Sequence, residues 1–94
     1  MPGQFALMQN VPNPFNSRTE VRYHLPQKSL VRLTLVNLLG KEVRAWYYHQ
    51  DSGMHTVKID AENLASGVYF YQVKAQPENH DKPFCAARKL LLIK

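Results

Sequence analysis

The sequence predicts an all-β fold, an antiparallel β-sandwich of about seven strands, from three observations. Apolar and polar residues alternate with period two in several short segments, as in strands that bury one face. Such segments recur roughly every 8–12 residues with turn-forming residues between them, a spacing typical of sandwiches. No segment sustains an apolar period of 3.6 residues. The strands are expected at residues 5–8, 19–25, 30–38, 42–49, 54–60, 68–74 and 84–93.

The first two strands flank a proline-containing segment. Residues 5–8 are a short apolar stretch that favours an edge strand. Residues 19–25 alternate cleanly, so every second side chain from Thr19 to Leu25 is expected to face the core. Pro26 follows at once and ends the strand, because proline lacks the backbone donor that a strand ladder needs.

The third and fourth strands form a predicted hairpin. Residues 30–38 present an apolar face, with Arg32 and Thr34 expected on the opposite face. Gly40 supplies the positive φ that a tight turn needs, and residues 42–49 return as the partner strand.

The last three strands follow similar turn signals. Gly53 and Gly67 open the strands at residues 54–60 and 68–74, the second of which is rich in aromatic and β-branched residues. Between these strands, residues 61–65 have room for one helical turn at most. Residues 76–82 are polar and predict a loop before the final strand.

The composition limits the chain to one domain and excludes several classes of protein. Ninety-four residues are enough for one core and too few for two. The net charge of +5 comes from basic residues that are spread along the chain, so no nucleic-acid partner is expected. No apolar run reaches the roughly 20 residues of a membrane-spanning helix, and no signal peptide is visible.

The single cysteine, Cys85, excludes an internal disulfide and a four-cysteine zinc site. Because it lies in an apolar β-like segment, it is expected to be a buried, unreactive thiol.

No catalytic pattern stands out, so the domain is predicted to be non-enzymatic, without cofactor or metal. The sequence has no phosphate-binding glycine loop and no nucleophile elbow. His49, Asp51 and His55 lie on a strand end, a turn and the next strand, where no shared ligand face is assured. His55 is instead expected at the edge of the core with its ring nitrogens hydrogen-bonded.

The chain is organised around residues 9–16, the opening corner. These eight residues hold two prolines and three asparagines. Pro12 and Pro14 fix φ and remove two backbone donors, so neither a helix nor a central strand can run through. Phe15 is the one large apolar side chain of the corner and is expected to be buried.

The blocks at residues 7–16, 19–26, 31–33, 37–43, 53–55, 64–71 and 89–94 together resemble the type A C-terminal sorting domain of the type IX (Por) secretion system. The match is specific because several uncommon blocks occur in the expected order across nearly the whole chain. The same Ig-like module is also similar to a domain of flagellar hook-capping proteins. The residues that carry the sorting motif are Asn10, Pro12, Asn13, Pro14, Phe15, Gly40, Gly53, Ser66, Gly67, Tyr69, Lys89, Leu90, Leu92 and Lys94.

This resemblance implies an Ig-like sandwich that acts as a secretion signal in the Bacteroidetes lineage. Residues 1–6 would then be a linker with the start of the first strand, and residues 7–94 the sorting domain. The implied partners are the outer-membrane translocon, its shuttle protein, a sortase-like C-terminal signal peptidase and anionic lipopolysaccharide. The cargo would be secreted or held at the cell surface after passing the periplasm and outer membrane. Tyr69, which opens a strand after a corner, is expected to tie its hydroxyl back to nearby backbone.

Two alternatives come from other classes of protein. Trp46, Tyr47 and Tyr48 are consecutive aromatic residues on one strand, so at least one ring must point outward. An outward ring can stack on a sugar, which would make the domain a carbohydrate-binding module of a secreted glycoside hydrolase. The other alternative is a structural Ig-like spacer.

Overall fold

The computed structural model describes residues 4–94, and in these residues it contains seven β-strands and no α-helix. The strands are β1 (Ala6–Leu7), β2 (Arg18–Leu25), β3 (Ser29–Asn37), β4 (Glu42–Gln50), β5 (Gly53–Asp60), β6 (Gly67–Pro77) and β7 (Phe84–Leu92). Each lies within a few residues of its predicted position, so the predicted all-β sandwich is confirmed. A search of the described residues for a helix long and apolar enough to cross a membrane finds none.

The strands form two antiparallel sheets. One sheet has the order β1-β2-β5 and the other the order β4-β3-β6-β7. The hairpin predicted between β3 and β4 is present, with Leu33 opposite Trp46, and a register shift lies between Leu35 and Val36. Consecutive strands change sheet at the 26–28, 51–52 and 61–66 connections, which closes a sandwich in the Ig-like manner.

The core lies between the two sheets and follows the predicted alternation. In β2 the side chains from Thr19 to Leu25 are buried at every second position. Fully buried side chains of β3, β6 and β7 face them from the other sheet, among them Leu33, Tyr71 and Leu90. In β2 and β3 the alternation identified the buried side chains, because successive side chains of a strand point to opposite faces.

The turns explain the three glycines of the predicted motif. Gly40, Gly53 and Gly67 have φ of 81°, 120° and 153°. Positive φ is costly for residues with a Cβ atom, so glycine suits these turns for backbone reasons alone. Residues 61–65 form a hydrogen-bonded turn, in which the Leu64 N–H donates to the Ala61 carbonyl at 3.0 Å.

One residue of the β4-β3-β6-β7 sheet differs from the predictions. Cys85 is exposed, so the prediction of a buried thiol is wrong. Within β7 the side chains of Leu90 and Leu92 point into the core, and counting back in twos puts Phe84 and Ala86 on that side and Cys85 on the other. Thr34 lies on the face of β3 opposite Leu33, as predicted, and is covered there by its neighbours on β4 and β6.

Candidate functional site

The opening corner lies against the end of β7, although the two segments are more than 70 residues apart in sequence. Phe15 forms a parallel bridge with Leu92. The Phe15 N–H donates to the Leu91 carbonyl at 3.0 Å, and the Ile93 N–H donates to the Phe15 carbonyl at 2.8 Å. The corner therefore pairs with the edge of β7 that faces away from β6.

Three side chains extend this pairing in both directions. Gln9 donates from Nε2 to the Lys89 carbonyl at 2.9 Å, and Asn13 Oδ1 accepts from the Leu91 N–H at 3.0 Å. From the strand side, Arg88 donates from Nε to the Leu7 carbonyl at 2.6 Å. We call this contact, formed by residues 7–16 and 88–93, the clasp. It covers backbone groups that an edge strand would otherwise leave open.

A buried polar centre holds the corner in shape. Asn10 is only 1% exposed, and its Nδ2 donates to the Pro12 carbonyl and to Thr19 Oγ1, both at 3.0 Å. Thr19 Oγ1 in turn donates to the Pro12 carbonyl at 2.8 Å. The Asn10 backbone N–H donates to the hydroxyl of Tyr71 at 2.9 Å, and that hydroxyl donates to the Met8 carbonyl at 2.7 Å. Every polar group of this centre has a partner, so the corner has one preferred shape.

Burial raises the pKa of the Tyr71 phenol, and the hydrogen bond from the Asn10 amide and the nearby charge of Arg88 oppose part of that rise. The phenol therefore stays protonated at neutral pH and can donate to the Met8 carbonyl.

Phe15 anchors the corner in the core, as predicted, with 2% of its surface exposed. Pro12 and Pro14 are exposed, and each follows a cis peptide bond. The prolines therefore shape the path of the backbone, and the phenylalanine fixes that path to the sandwich.

The 61–66 connection meets the same end of the molecule. The hydroxyl of Tyr69 donates to the Ala65 carbonyl at 2.6 Å, which confirms the predicted tie to nearby backbone. Ser66 Oγ accepts from the Lys94 N–H at 3.0 Å, and the Lys94 ammonium group donates to the Glu62 carbonyl. The residues after β7 are thereby held on both sides.

The structure brings thirteen of the fourteen predicted sorting-motif residues to this end, twelve of them at or beside the clasp. Tyr69 pairs with Leu90 and Gly67 with Leu92 across β6 and β7, and the corner residues lie on the outer edge. Gly40 lies at the same end of the sandwich but in the β3–β4 turn, and Gly53 lies at the opposite end. A groove of about 270 Å³ follows the clasp and is lined by Asn13, Pro14, Val68, Lys89, Leu90 and Leu91.

The three consecutive aromatic residues do not share one face. Trp46 and Tyr48 are half-buried and pack against the core, whereas Tyr47 is 67% exposed. Arg32 lies 5.7 Å from the centre of the Tyr47 ring and donates from Nε to its hydroxyl at 3.1 Å. A sugar on this surface would therefore meet one ring that an arginine already contacts.

No cluster of three or more His, Cys, Asp or Glu side chains suited to a metal occurs within residues 4–94. His55 lies at the core edge, where its ring packs 5.9 Å from that of Tyr23 and Nε2 contacts the Asp51 carbonyl at 2.7 Å.

Some members of the site had no clear signal in the sequence. Thr19 was expected on the core face of its strand and Tyr71 in a strand, but their hydroxyls serve the corner, and nothing local indicates that role. Gln9 and Arg88 bond to backbone more than 75 residues away, a pairing that no periodicity can reveal. The unusual density of asparagine in the corner was the available signal, because a buried asparagine needs several hydrogen-bond partners.

Comparison of the sequence with models of known protein families assigns the chain to a family. The family model described as "Secretion system C-terminal sorting domain" matches residues 11–85, about four fifths of the chain. The chain belongs to this family. Its role is that of a sorting signal for type IX secretion, and its cargo is secreted or attached to the cell surface by way of the outer membrane. The family as a whole is non-enzymatic.

The sorting domain also has a structural relative. A crystal structure of CopC from Methylosinus trichosporium OB3b aligns over 95% of this chain and 93% of that one, with a TM-score of 0.62 and 14% identity. At that identity the likeness shows a shared fold alone. No protein with a curated description matches the chain.

Proposed function

We propose that the type IX machinery recognises this domain through the clasp, reading the opening corner and the end of β7 as one folded surface. The observation that carries the proposal is the set of hydrogen bonds that join these two segments. Family membership supports the existence of a receptor, and the geometry of the clasp supports the position of the surface that the receptor binds.

A signal of this kind depends on folding. The corner and the end of β7 are adjacent only when the sandwich is formed, because they come from opposite ends of the chain. A receptor that contacts both would reject an unfolded chain, and this would couple export to correct folding of the domain.

The charge of the clasp suggests the character of its partner. Lys89 and Lys94 are exposed, and neither forms an ion pair with a carboxylate among residues 4–94. Complementary charge speeds association and aligns partners. The translocon and its shuttle protein are the proposed receptors, each with an acidic face toward these lysines. The sortase-like C-terminal signal peptidase and anionic lipopolysaccharide are proposed as later partners.

The domain boundaries also stand as a proposal, with residues 1–6 as a linker that includes the start of the first strand and residues 7–94 as the sorting domain. Leu7 supports this division, because it is the first buried residue of the described chain and its carbonyl belongs to the clasp.

Charge reversal tests the proposed surface without removing core residues. A periplasmic reporter is fused to the N-terminus of residues 1–94 and expressed in a host that has a type IX system. The variant Lys89→Glu with Lys94→Glu is expected to lose surface delivery. The control, Lys74→Glu with Lys82→Glu, changes the net charge equally at exposed sites away from the clasp and is expected to be delivered normally. Equal delivery of both variants would contradict the proposal.

Deletion of residues 89–94 is also expected to stop delivery. It is a blunter test, because it removes the buried side chains of Leu90 and Leu92 together with the surface. The substitutions separate recognition from folding, and a thermal unfolding scan of each purified variant verifies that separation.

A further inference from the structure

The turn between β3 and β4 carries the most exposed large apolar side chain of the described residues. Leu39 is 92% exposed and its neighbour Leu38 is 68% exposed. Single exposed leucines are common on protein surfaces, but two adjacent ones at the tip of a hairpin are unusual because turns favour polar residues.

The turn is rigid because Asn37 bonds to it from both its side chain and its backbone. Asn37 Oδ1 accepts from the Leu39 N–H at 2.9 Å and from the Lys41 N–H at 3.0 Å. Its carbonyl accepts from the Gly40 N–H at 2.9 Å, and its own N–H donates to the Lys41 carbonyl at 2.9 Å.

These contacts account for the asparagine and, together with the positive φ, for Gly40. They do not account for Leu38 and Leu39, because any residue could supply the same backbone groups. The two leucines therefore add nothing that the turn itself requires. The hydrogen bonds of Asn37 hold the backbone that carries the two leucines before any partner arrives, which lowers the entropy cost of ordering the turn on binding.

The tip lies at the clasp end of the sandwich. Asn37 is level with Tyr69 and Leu90 in the sheet, and β3 is two strands away from β7. Two strand spacings are roughly 10 Å. An ordinary protein interface covers about 800 Å² on each partner, so one receptor can span the tip and the clasp together.

We propose that Leu38 and Leu39, here called the leucine tip, insert into an apolar pocket of the same secretion-machinery protein that binds the clasp. This inference rests on the proposed function, since it adds a second contact to that receptor. Lys41 follows the tip and, like Lys89 and Lys94, has no carboxylate partner among residues 4–94. The pocket is therefore expected to have an acidic rim continuous with the face that meets the clasp.

The test uses the reporter fused to residues 1–94, with Leu39→Ser as the main variant. Loss of one buried leucine contact weakens binding about tenfold or more, so delivery of the reporter is expected to fall by a similar factor when receptor is limiting. Leu39→Met keeps the apolar contact and is expected to be delivered normally. The matched control is Leu30→Ser, because Leu30 is 56% exposed and lies on β3 at the opposite end of the sandwich from the tip.

Each outcome decides the inference. Normal delivery of Leu39→Ser, or an equal loss in Leu30→Ser, would overturn it. A loss of delivery accompanied by a lowered unfolding temperature would assign the leucine to folding, which also overturns it. Flotation of the purified chain with phosphatidylethanolamine–phosphatidylglycerol vesicles in a Leu39-dependent way would identify a lipid surface as the occupant instead.

Failure here is distinguishable from failure of the proposed clasp. If Lys89→Glu with Lys94→Glu blocks delivery and Leu39→Ser does not, the clasp stands and the leucine tip has no part in recognition. If neither affects delivery while the unmodified fusion is delivered, both proposals fail.

Discussion

The two ends of the sandwich are held together in different ways. At the clasp end, the corner is fixed by a buried phenylalanine, a buried asparagine and backbone pairing with β7. At the far end, the connections at residues 26–28, 51–52 and 78–83 meet mainly through exposed polar groups. Lys28 lies 3.9 Å from a carboxylate oxygen of Asp51 and 4.0 Å from one of Glu78, and His49 also contacts Glu78.

This difference predicts how much a substitution at each end lowers the stability of the fold. Exposed ion pairs contribute little to stability, with typical values of about 0–1 kcal/mol. A buried polar group that loses its partner costs about 1–3 kcal/mol, and a core aromatic residue contributes more. Substitutions at the clasp end are therefore expected to destabilise the fold more than substitutions at the far end. The clasp end is also where the sorting-motif residues lie.

The largest expected effect is on the anchor of the corner. Phe15→Ala is expected to lower the free energy of unfolding by about 3–5 kcal/mol, because it leaves a cavity where the corner meets β7. Met54→Ala, at the half-exposed start of β5 at the far end, is expected to cost less than about 1 kcal/mol. Urea unfolding of both variants measures the difference. Similar losses in the free energy of unfolding would show that the two ends contribute equally to stability.

The buried asparagine gives the next largest effect. Asn10→Ala removes the donor for the Pro12 carbonyl and Thr19 Oγ1, and is expected to cost about 1–3 kcal/mol. Asn79→Ala at the far end removes a hydrogen bond to Asp81 on the surface and is expected to cost well under 1 kcal/mol. Chemical denaturation measures both values. If Asn10→Ala is as stable as the unmodified chain, the buried polar centre does not stabilise the corner.

Alkaline pH is expected to weaken both ends through buried phenols. Burial raises the pKa of Tyr23 to about 12, although its hydrogen bond to Gln50 opposes that rise, and burial also raises the pKa of Tyr71. The unfolded phenols ionise near pH 10 while the folded ones remain protonated. The contribution of Tyr23 is therefore complete below pH 10 and is lost as the pH rises toward about 12, and the contribution of Tyr71 is lost in the same direction.

The pH dependence can be assigned to Tyr23 by substitution. Between pH 10 and 12, unfolding temperatures should fall less steeply in Tyr23→Phe than in the unmodified chain. Identical slopes in the two proteins would argue against a raised pKa at Tyr23.

The smallest expected effect is at the far end. Glu78→Gln removes the carboxylate that meets Lys28 and His49, and is expected to cost less than about 1 kcal/mol. The cost should shrink further as salt is added, because exposed charges are screened. Unfolding at low and high ionic strength measures this cost. A larger loss that does not depend on salt would mean that the far end contributes more to stability than its exposed ion pairs predict.

The fold was predictable from the sequence because its signals are local. The alternation in β2 identified the buried face, and Gly40, Gly53 and Gly67 marked turns that do adopt positive φ. The error at Cys85 came from judging burial by the apolar character of the segment. Counting in twos from Leu90 and Leu92 gives the correct face.

The clasp was only partly predictable. The corner and the end of β7 were both recognised as landmarks, and burial of Phe15 was expected. Their direct contact was not, because Gln9 and Asn13 bond to backbone 78–80 residues away and no local pattern encodes such a pairing. Likewise, a tyrosine in a core strand gives no indication that its hydroxyl will serve a distant asparagine.

The most direct test of the central claim compares two glutamine–asparagine pairs, one at each end of the sandwich. Gln9→Ala with Asn13→Ala removes the side-chain hydrogen bonds from the corner to β7. Gln27→Ala with Asn79→Ala removes an equivalent glutamine–asparagine pair that bonds to Asp81 at the far end. When both variants are folded, delivery of the fused reporter to the cell surface is expected to fall in the first variant and to remain normal in the second. Normal delivery of the first variant, or an equal fall in both, would contradict recognition through the clasp.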